Sequence, residues 1–239
     1  MRRKIFGVIA AALMTLSASS AFAAFTDLEL IRVYYDRNGS EVATDLGKVK
    51  EIVTPGGTFT GSFGGLSTGY AVYFAFDHST NELWASGSTT TPSVIVGGLV
   101  GLYGIKDGTP YVYALYNTQG GTNYTGPAAA TNSYKNKLSA TQGSLGGSIN
   151  SATRLNTEVS LNGLIDVAGQ SRTQALYYWN NALSTMAADK VGIEVARIST
   201  NADGSTVIAT AATPIPPSFF LMGSGLLGMI GLHRRAKRA

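Results

Sequence analysis

His78 is the one histidine of the chain outside its last seven residues, and it stands between Asp77 and Ser79. A hydroxyl–imidazole–carboxylate relay would need a distant serine and aspartate to converge on that ring. The run Asp77-His78-Ser79-Thr80-Asn81 reads instead as a turn. The chain has no cysteine, which removes thiolate nucleophiles, thiolate metal sites and disulfides together. With one histidine in the body, a zinc or copper site lacks its ligands. Asp36-x-Asn38-Gly39 and Asn201-x-Asp203-Gly204 space two oxygen side chains as calcium loops do. The bidentate Glu such a loop needs at its twelfth position is Gly47 in the first case and Ala212 in the second, so both read as turns. Glycoside hydrolysis calls for two carboxylates at one bond; Glu82, Asp107 and Glu194 are available, and spacing selects none of them. Trp84 and Trp179 are the leading candidates for stacking on sugar rings, together with the tyrosine-rich strands Tyr70 to Phe76 and Tyr111 to Tyr116, against the alternative that the two tryptophans are core aromatics. No phosphate-binding glycine loop is present: Gly47-Lys48 lacks the upstream glycine, and the Gly97–Gly101 run lacks a lysine. No catalytic residue, metal site or cofactor is selected.

The elements that would have to position such residues are strands. Charged residues make up 13% of the 239, while glycine reaches 29 and tyrosine 12, a balance that fits an extracellular all-β domain better than a cytosolic enzyme. Leu28 to Tyr35 is apolar on both faces and runs into Asn38-Gly39, a hairpin turn, with Glu41 to Leu46 returning and Lys48 to Val53 continuing it. Thr54 to Thr68 is a glycine-rich loop. Tyr70 to Phe76 reads as a buried aromatic strand, with Glu82 to Ser86 pairing back on it. Val94 to Ile105 reads as two strand fragments broken by glycines, Asp107 to Pro110 as a turn, and Tyr111 to Tyr116 as a second aromatic strand near the centre. Ser133 to Gln142 offers a short helix or else part of a long surface loop, and Glu158 to Val167 a weak strand. Gln174 to Met186 has a helical spacing at Leu176, Trp179, Leu183 and Met186 but reads in preference as a strand entering a turn. Val191 to Ser199 and Ser205 to Thr210 form a hairpin around Asn201–Gly204. The sum is an antiparallel, β-sandwich-like all-β domain over residues 24–212.

The ends have a different character. Arg2, Arg3 and Lys4 precede a 12-residue apolar run, Ile5 to Leu16, and Ala21-Phe22-Ala23 obeys the small-x-small rule. Residues 1–23 are therefore expected to be a signal peptide, cleaved between Ala23 and Ala24. At the other end Pro214-Ile215-Pro216-Pro217 leads into the apolar run 218–232, and His233 to Ala239 carries Arg234, Arg235, Lys237 and Arg238. As a helix that run is about 23 Å long, short of the roughly 30 Å hydrocarbon core. Its basic end would stay cytoplasmic and leave the body outside the inner membrane. Ser224 and Gly228 make a small-xxx-small pair on it, a helix-packing signature. These two ends hold seven of the 18 Lys and Arg, leaving 11 against 14 acids, so the body is mildly acidic. A nucleic-acid partner is excluded, because it would need a basic patch on the body.

The tail 213–239, with Pro214-Ile215-Pro216-Pro217, the glycine- and leucine-rich GSGLLGMIGL and an arginine-rich end, resembles the PEP-CTERM sorting signal of exopolysaccharide-producing Gram-negative bacteria. Ile215 stands where the name-giving Glu would be. The body's opening, LELIRVYYDRNGSEVATDLG, is similar to the start of other uncharacterised proteins with this tail. The resemblance implies processing near the proline motif by exosortase, an integral-membrane cysteine transpeptidase, with transient anchorage in the inner membrane and release to the cell surface or extracellular matrix. The expectation is a secreted, non-catalytic surface or matrix protein associated with exopolysaccharide. Two alternatives stay open: an extracellular glycan-acting enzyme, and a permanent single-pass type I membrane protein.

Overall fold

Strand β1 (Glu29–Tyr35) is buried from Leu30 onward on both of its faces. Two-sided burial requires a cover on each side of the sheet, and two different devices supply it. The computed structural model describes residues 25–87, 89, 94–95, 98–139, 145, 149–150, 157–184, 186, 189 and 191–211. The expected signal peptide with Ala21, Ala23 and Ala24 lies outside them. So does the tail, with Pro214–Pro217, Ser224, Gly228 and the basic cluster Arg234–Arg238.

After β1 come β2 (Ser40–Lys48), helix α1 (Val49–Ile52), β3 (Gly57–Phe59), β4 (Tyr70–Asp77), β5 (Glu82–Gly87), β6 (Val94–Ile95) and helix α2 (Gly98–Tyr116). Then follow β7 (Asn123–Pro127), helix α3 (Tyr134–Lys137), β8 (Ile149–Asn150), β9 (Val159–Ser160), β10 (Ser171–Trp179), β11 (Ile193–Asn201) and β12 (Thr206–Thr210). One sheet runs β3-β12-β11-β10-β5-β4-β1-β2-β7, β9 adds a short pairing to β4, and β6 pairs with β8 separately. All of these pairings are antiparallel.

The first cover is α2. Ile105, Thr109, Val112, Tyr113 and Tyr116 are buried, and their spacing of four, three, one and three makes a single helical stripe. The apolar members pack with Ile31, Val33, Val72, Phe74, Phe76 and Ala85 of the sheet. The second cover is the sheet itself. β1 and β12 are five strands apart, about 24 Å in a flat sheet, yet Arg32 Nη1 donates to Thr206 Oγ1 at 3.0 Å. The sheet therefore curls until its two ends face each other across a hollow lined by Leu30, Tyr34, Tyr73, Trp84, Leu176, Ile198 and Ile208. Register shifts at Glu29/Ile31 and at Leu176/Tyr177 supply the local bends that curling needs.

The expected two-layer sandwich is thus one curled antiparallel sheet. The hairpins at Asn38-Gly39 and Asn201–Gly204 and the aromatic strand β4 lie where their sequences place them. Four segments differ. Residues 49–52 form α1 instead of extending β2. The glycine-rich loop contains edge strand β3. Of Glu158 to Val167 only Val159–Ser160 is a strand. Of the residues read as two strand fragments, a turn and a second aromatic strand, Val94–Ile95 is strand β6, while Gly98–Tyr116 is a 19-residue helix with Pro110 inside it.

Candidate functional site

Arg32 sits at the centre of the hollow, 1% exposed. Its Nη1 donates to Gly204 O (3.2 Å) and Thr206 Oγ1, and its Nη2 to Thr44 Oγ1 (3.1 Å) and Thr60 O (3.0 Å). These acceptors belong to the β11–β12 turn, β12, β2 and the residue after β3, so one guanidinium ties both ends of the curl. No carboxylate pairs with it among the described residues; the face of Tyr34, 5.0 Å from Cζ, takes up part of the charge. Tyr73 joins the network through Thr200 (2.7 Å) and Thr206 (2.9 Å), and burial pushes its phenol well above the ordinary value. The loop glycines are there for room: a Cβ on Gly61 would run into Arg32 Nη2 and Gly204 O. All four Nη hydrogens are spent on protein acceptors, while the buried Nε has no hydrogen-bond partner; the guanidinium is a clasp between the two ends of the sheet. Beside it, where β2 and β3 approach without pairing, Thr44, Asp45, Leu46, Thr58, Phe59 and Thr60 border a cleft of about 310 Å³.

His78 is likewise committed to structure. Its Nδ1 meets Asp27 Oδ1 at 2.6 Å and its Nε2 meets Lys106 O at 2.8 Å. Thr109 Oγ1 lies 3.1 Å from Nε2, which reproduces the order of a hydroxyl–imidazole–carboxylate relay. Both ring nitrogens are held by oxygen atoms of the fold, however, and the Thr109 hydroxyl also reaches Ile105 O (3.1 Å). Ring and hydroxyl are thus engaged by atoms of the fold. The Lys106 carbonyl explains the arrangement: Pro110, four residues on, has no N–H to give it, and the imidazole replaces the missing helical hydrogen bond.

The carboxylates fall into two kinds. Glu41 is fully buried and accepts from Tyr116 Oη (2.7 Å), Tyr134 N (3.0 Å) and Lys135 N (3.2 Å), tying α2 and α3 to β2; burial raises its pKa despite these donors. Glu82 pairs with Lys50 (2.6 Å) and accepts from Tyr178 Oη (2.5 Å); these donors outweigh desolvation and lower its pKa. Glu194 pairs with Arg197 (2.8 Å), and Asp107 is exposed on α2. The three carboxylates that sequence offered for acid–base work are thus separately engaged or solvent-facing. A different pair is brought together. Burial first, and the neighbouring Asp45 second, push the Glu29 carboxyl from 4.5 to about 7. Asp45, 6% exposed and itself raised by burial, takes Gly47 N on Oδ1 (2.8 Å) and has no hydrogen-bond partner on Oδ2. Sequence gave no signal for this pair, because cross-strand register and the Glu29/Ile31 irregularity determine it. Asp36 and Asp203 cap their turns, accepting from Asn38 N and from Ser205 N and Oγ. Among the described residues no group of three or more His, Asp or Glu could hold a metal ion.

Trp84 and Trp179 are not a stacking platform. They are 3% and 1% exposed and belong to the cores on opposite faces of the sheet. Trp84 lies 4.8 Å from the Tyr178 ring, with Lys50 Nζ 5.5 Å from its own centroid. The accessible aromatics are Tyr103 and Tyr111 on the outward side of α2, 49% and 53% exposed, with Lys137 Nζ 4.6 Å over the Tyr111 ring. They lie eight residues apart, about 12 Å along the axis. A half-exposed tyrosine ring with a cation over one face suits contact with the C–H face and hydroxyls of a sugar. A strand reading does not settle which side Tyr111 faces; the helical period turns it outward.

Comparison with protein-family models, curated proteins and solved structures finds no match to this chain.

Proposed function

We propose that this chain is an exported, non-catalytic surface or matrix protein, delivered by exosortase-type processing of its tail and associated with polysaccharide. The observation that carries the reading is the tail, in which a proline-rich hinge, a short apolar run and a basic cluster follow in that order, starting three residues after Ala211. The body's two boundaries are compatible with removal of both ends. Phe25, two residues past the expected leader cleavage, exchanges hydrogen bonds with the Asn117 side chain (2.8 and 3.0 Å) and packs edge-on to Tyr116. At the other end Ala211 N still donates to Val195 O (3.3 Å). Neither anchor depends on the leader or the tail. Tyr103 and Tyr111 are the surface assigned to glycan contact. Replacing both with alanine should abolish retention on host exopolysaccharide while leaving the unfolding midpoint unchanged, since both rings are half in solvent. Equal retention of wild type and double variant would refute that assignment.

A second reading, a glycan-acting enzyme, is favoured by one observation. A carboxyl held at about 7 beside a second carboxyl is tuned as a general acid is, and Asp45 of this pair borders the cleft between β2 and β3. Turnover of any glycan that Glu29→Gln abolishes would establish it; a substrate screen without turnover would retire it.

A further inference from the structure

The end of the sheet from which the chain leaves β12 carries an apolar rim. Three of the seven most exposed large hydrophobics among the described residues are Met186, Val191 and Ile193, 70%, 48% and 64% exposed. They flank the start of β11, and Ala211 donates to Val195 O beside them, so the rim and the exit of the chain share one end. The rim is firmly held: a Cβ on Gly192 would come within 2.6 Å of the Trp179 ring, so the backbone between Val191 and Ile193 lies flat on that indole and both side chains are left outside.

What this end faces follows from the length of chain beyond it. Seven steps separate Ala211 from Ser218, where the apolar run begins, and three of the six residues between are proline. At about 3.1 Å per residue in the extended form that proline favours, the spacer reaches at most ~22 Å. It is too short to let the body tumble freely away from whatever holds residues 218–232. We propose that, while the tail is in the membrane, the Val191–Ile193 rim rests on the outer surface of the lipid bilayer and fixes the body's orientation there, so that the proline motif is held at the lipid surface with the opposite end of the sheet pointing away. This rests on the membrane-anchored tail of the function proposed above.

The absence of cysteine makes the test direct. A single environment-sensitive fluorophore is attached through Ile193→Cys, and in a second protein through Asp203→Cys, in the β11–β12 turn at the far end of the strand, about 27 Å away along eight residues. Each full-length chain is reconstituted through its tail into phosphatidylcholine vesicles containing headgroup nitroxide lipid. The expected result is loss of about half the emission at position 193 and little change at 203, with the effect at 193 abolished by release of the body from its tail. Equal emission at the two positions, in protein that resists alkaline extraction from the vesicles, overturns the inference and leaves the anchored tail standing. Protein that alkali extracts overturns both. Shielding of position 193 in lipid-free detergent that rises with protein concentration assigns the rim to a second copy and overturns the lipid proposal. Shielding there that is independent of concentration assigns it to residues 212–217 of the chain itself, with the same consequence.

Discussion

Replacing Arg32 with alanine should destabilise the fold by about 4 kcal/mol. The substitution removes four charge-assisted hydrogen bonds, each worth roughly 1.5–3 kcal/mol. It leaves a cavity worth about 2 kcal/mol where the side chain was. Against this stands the desolvation of a buried guanidinium that has no carboxylate partner, several kcal/mol that the variant no longer bears. Gly204 O keeps Tyr34 as its donor and Thr206 Oγ1 keeps its hydrogen bond with Tyr73 Oη, so Thr60 O is the acceptor most exposed to the loss. Arg32→Met fills most of the space without a charge to desolvate, and should cost only about 1–3 kcal/mol, chiefly for that orphaned carbonyl. The assay is urea unfolding followed by tryptophan emission, which reports directly because Trp84 and Trp179 are both buried in the native state. Amide exchange adds a specific signature. In Arg32→Met the β3 amides should exchange faster while those of β4, buried on both faces, stay protected. An Arg32→Ala variant within about 1 kcal/mol of wild type, with β3 exchange unchanged, would show that the curl closes without its clasp.

Two further predictions concern ionisable and helix-capping groups. Glu29 has a folded pKa above its unfolded one, so the native state holds a proton that the unfolded chain releases; stability should fall as pH rises from 4.5 to about 7. Glu29→Gln should flatten that part of the urea-midpoint profile, and an unchanged slope would refute the assignment. His78→Ala leaves the Lys106 carbonyl only the longer contact from the Thr109 hydroxyl (3.3 Å) and should cost roughly 1 kcal/mol. Adding Pro110→Ala restores an N–H four residues away and should recover more stability in that background than in wild type; a double-mutant cycle with no coupling would contradict the role given to the imidazole.

The local part of this fold is written plainly in the sequence, and the long-range part is not. Asn38-Gly39 and Asn201–Gly204 specify their hairpins through turn chemistry that needs no partner elsewhere. The two-sided apolar pattern of β1 and β4 announces central strands, though it does not say what covers them. Helix α2 was hidden by its own residues. Tyr111-Val112-Tyr113 favours a strand, five glycines lie within 97–108, and Pro110 signals a break. The break is repaired by His78, which the sequence places 32 residues away in an unrelated turn. Gly108 also has a packing reason, since a Cβ there would lie 3.0 Å from the Leu138 side chain. The strand reading places Tyr111 near the centre and does not say which of the tyrosines and tryptophans offered for sugar contact reach solvent; the helical period of α2 decides that for Tyr111. The curl was illegible for a similar reason: Arg32 and Thr206 are 174 residues apart, and an arginine in an apolar strand does not say which neutral oxygens will receive it. The Glu29–Asp45 pair follows from a register irregularity that no local pattern records.

The account's central claim, that the body is delivered by processing of its tail, is tested most directly by mass spectrometry of the mature protein's C-terminus, recovered from cells of an exosortase-bearing host. The account predicts an end within or beside Pro214–Pro217 and no peptide from His233 to Ala239. A mature protein that still ends in HRRAKRA would contradict it, and would make the tail a permanent anchor.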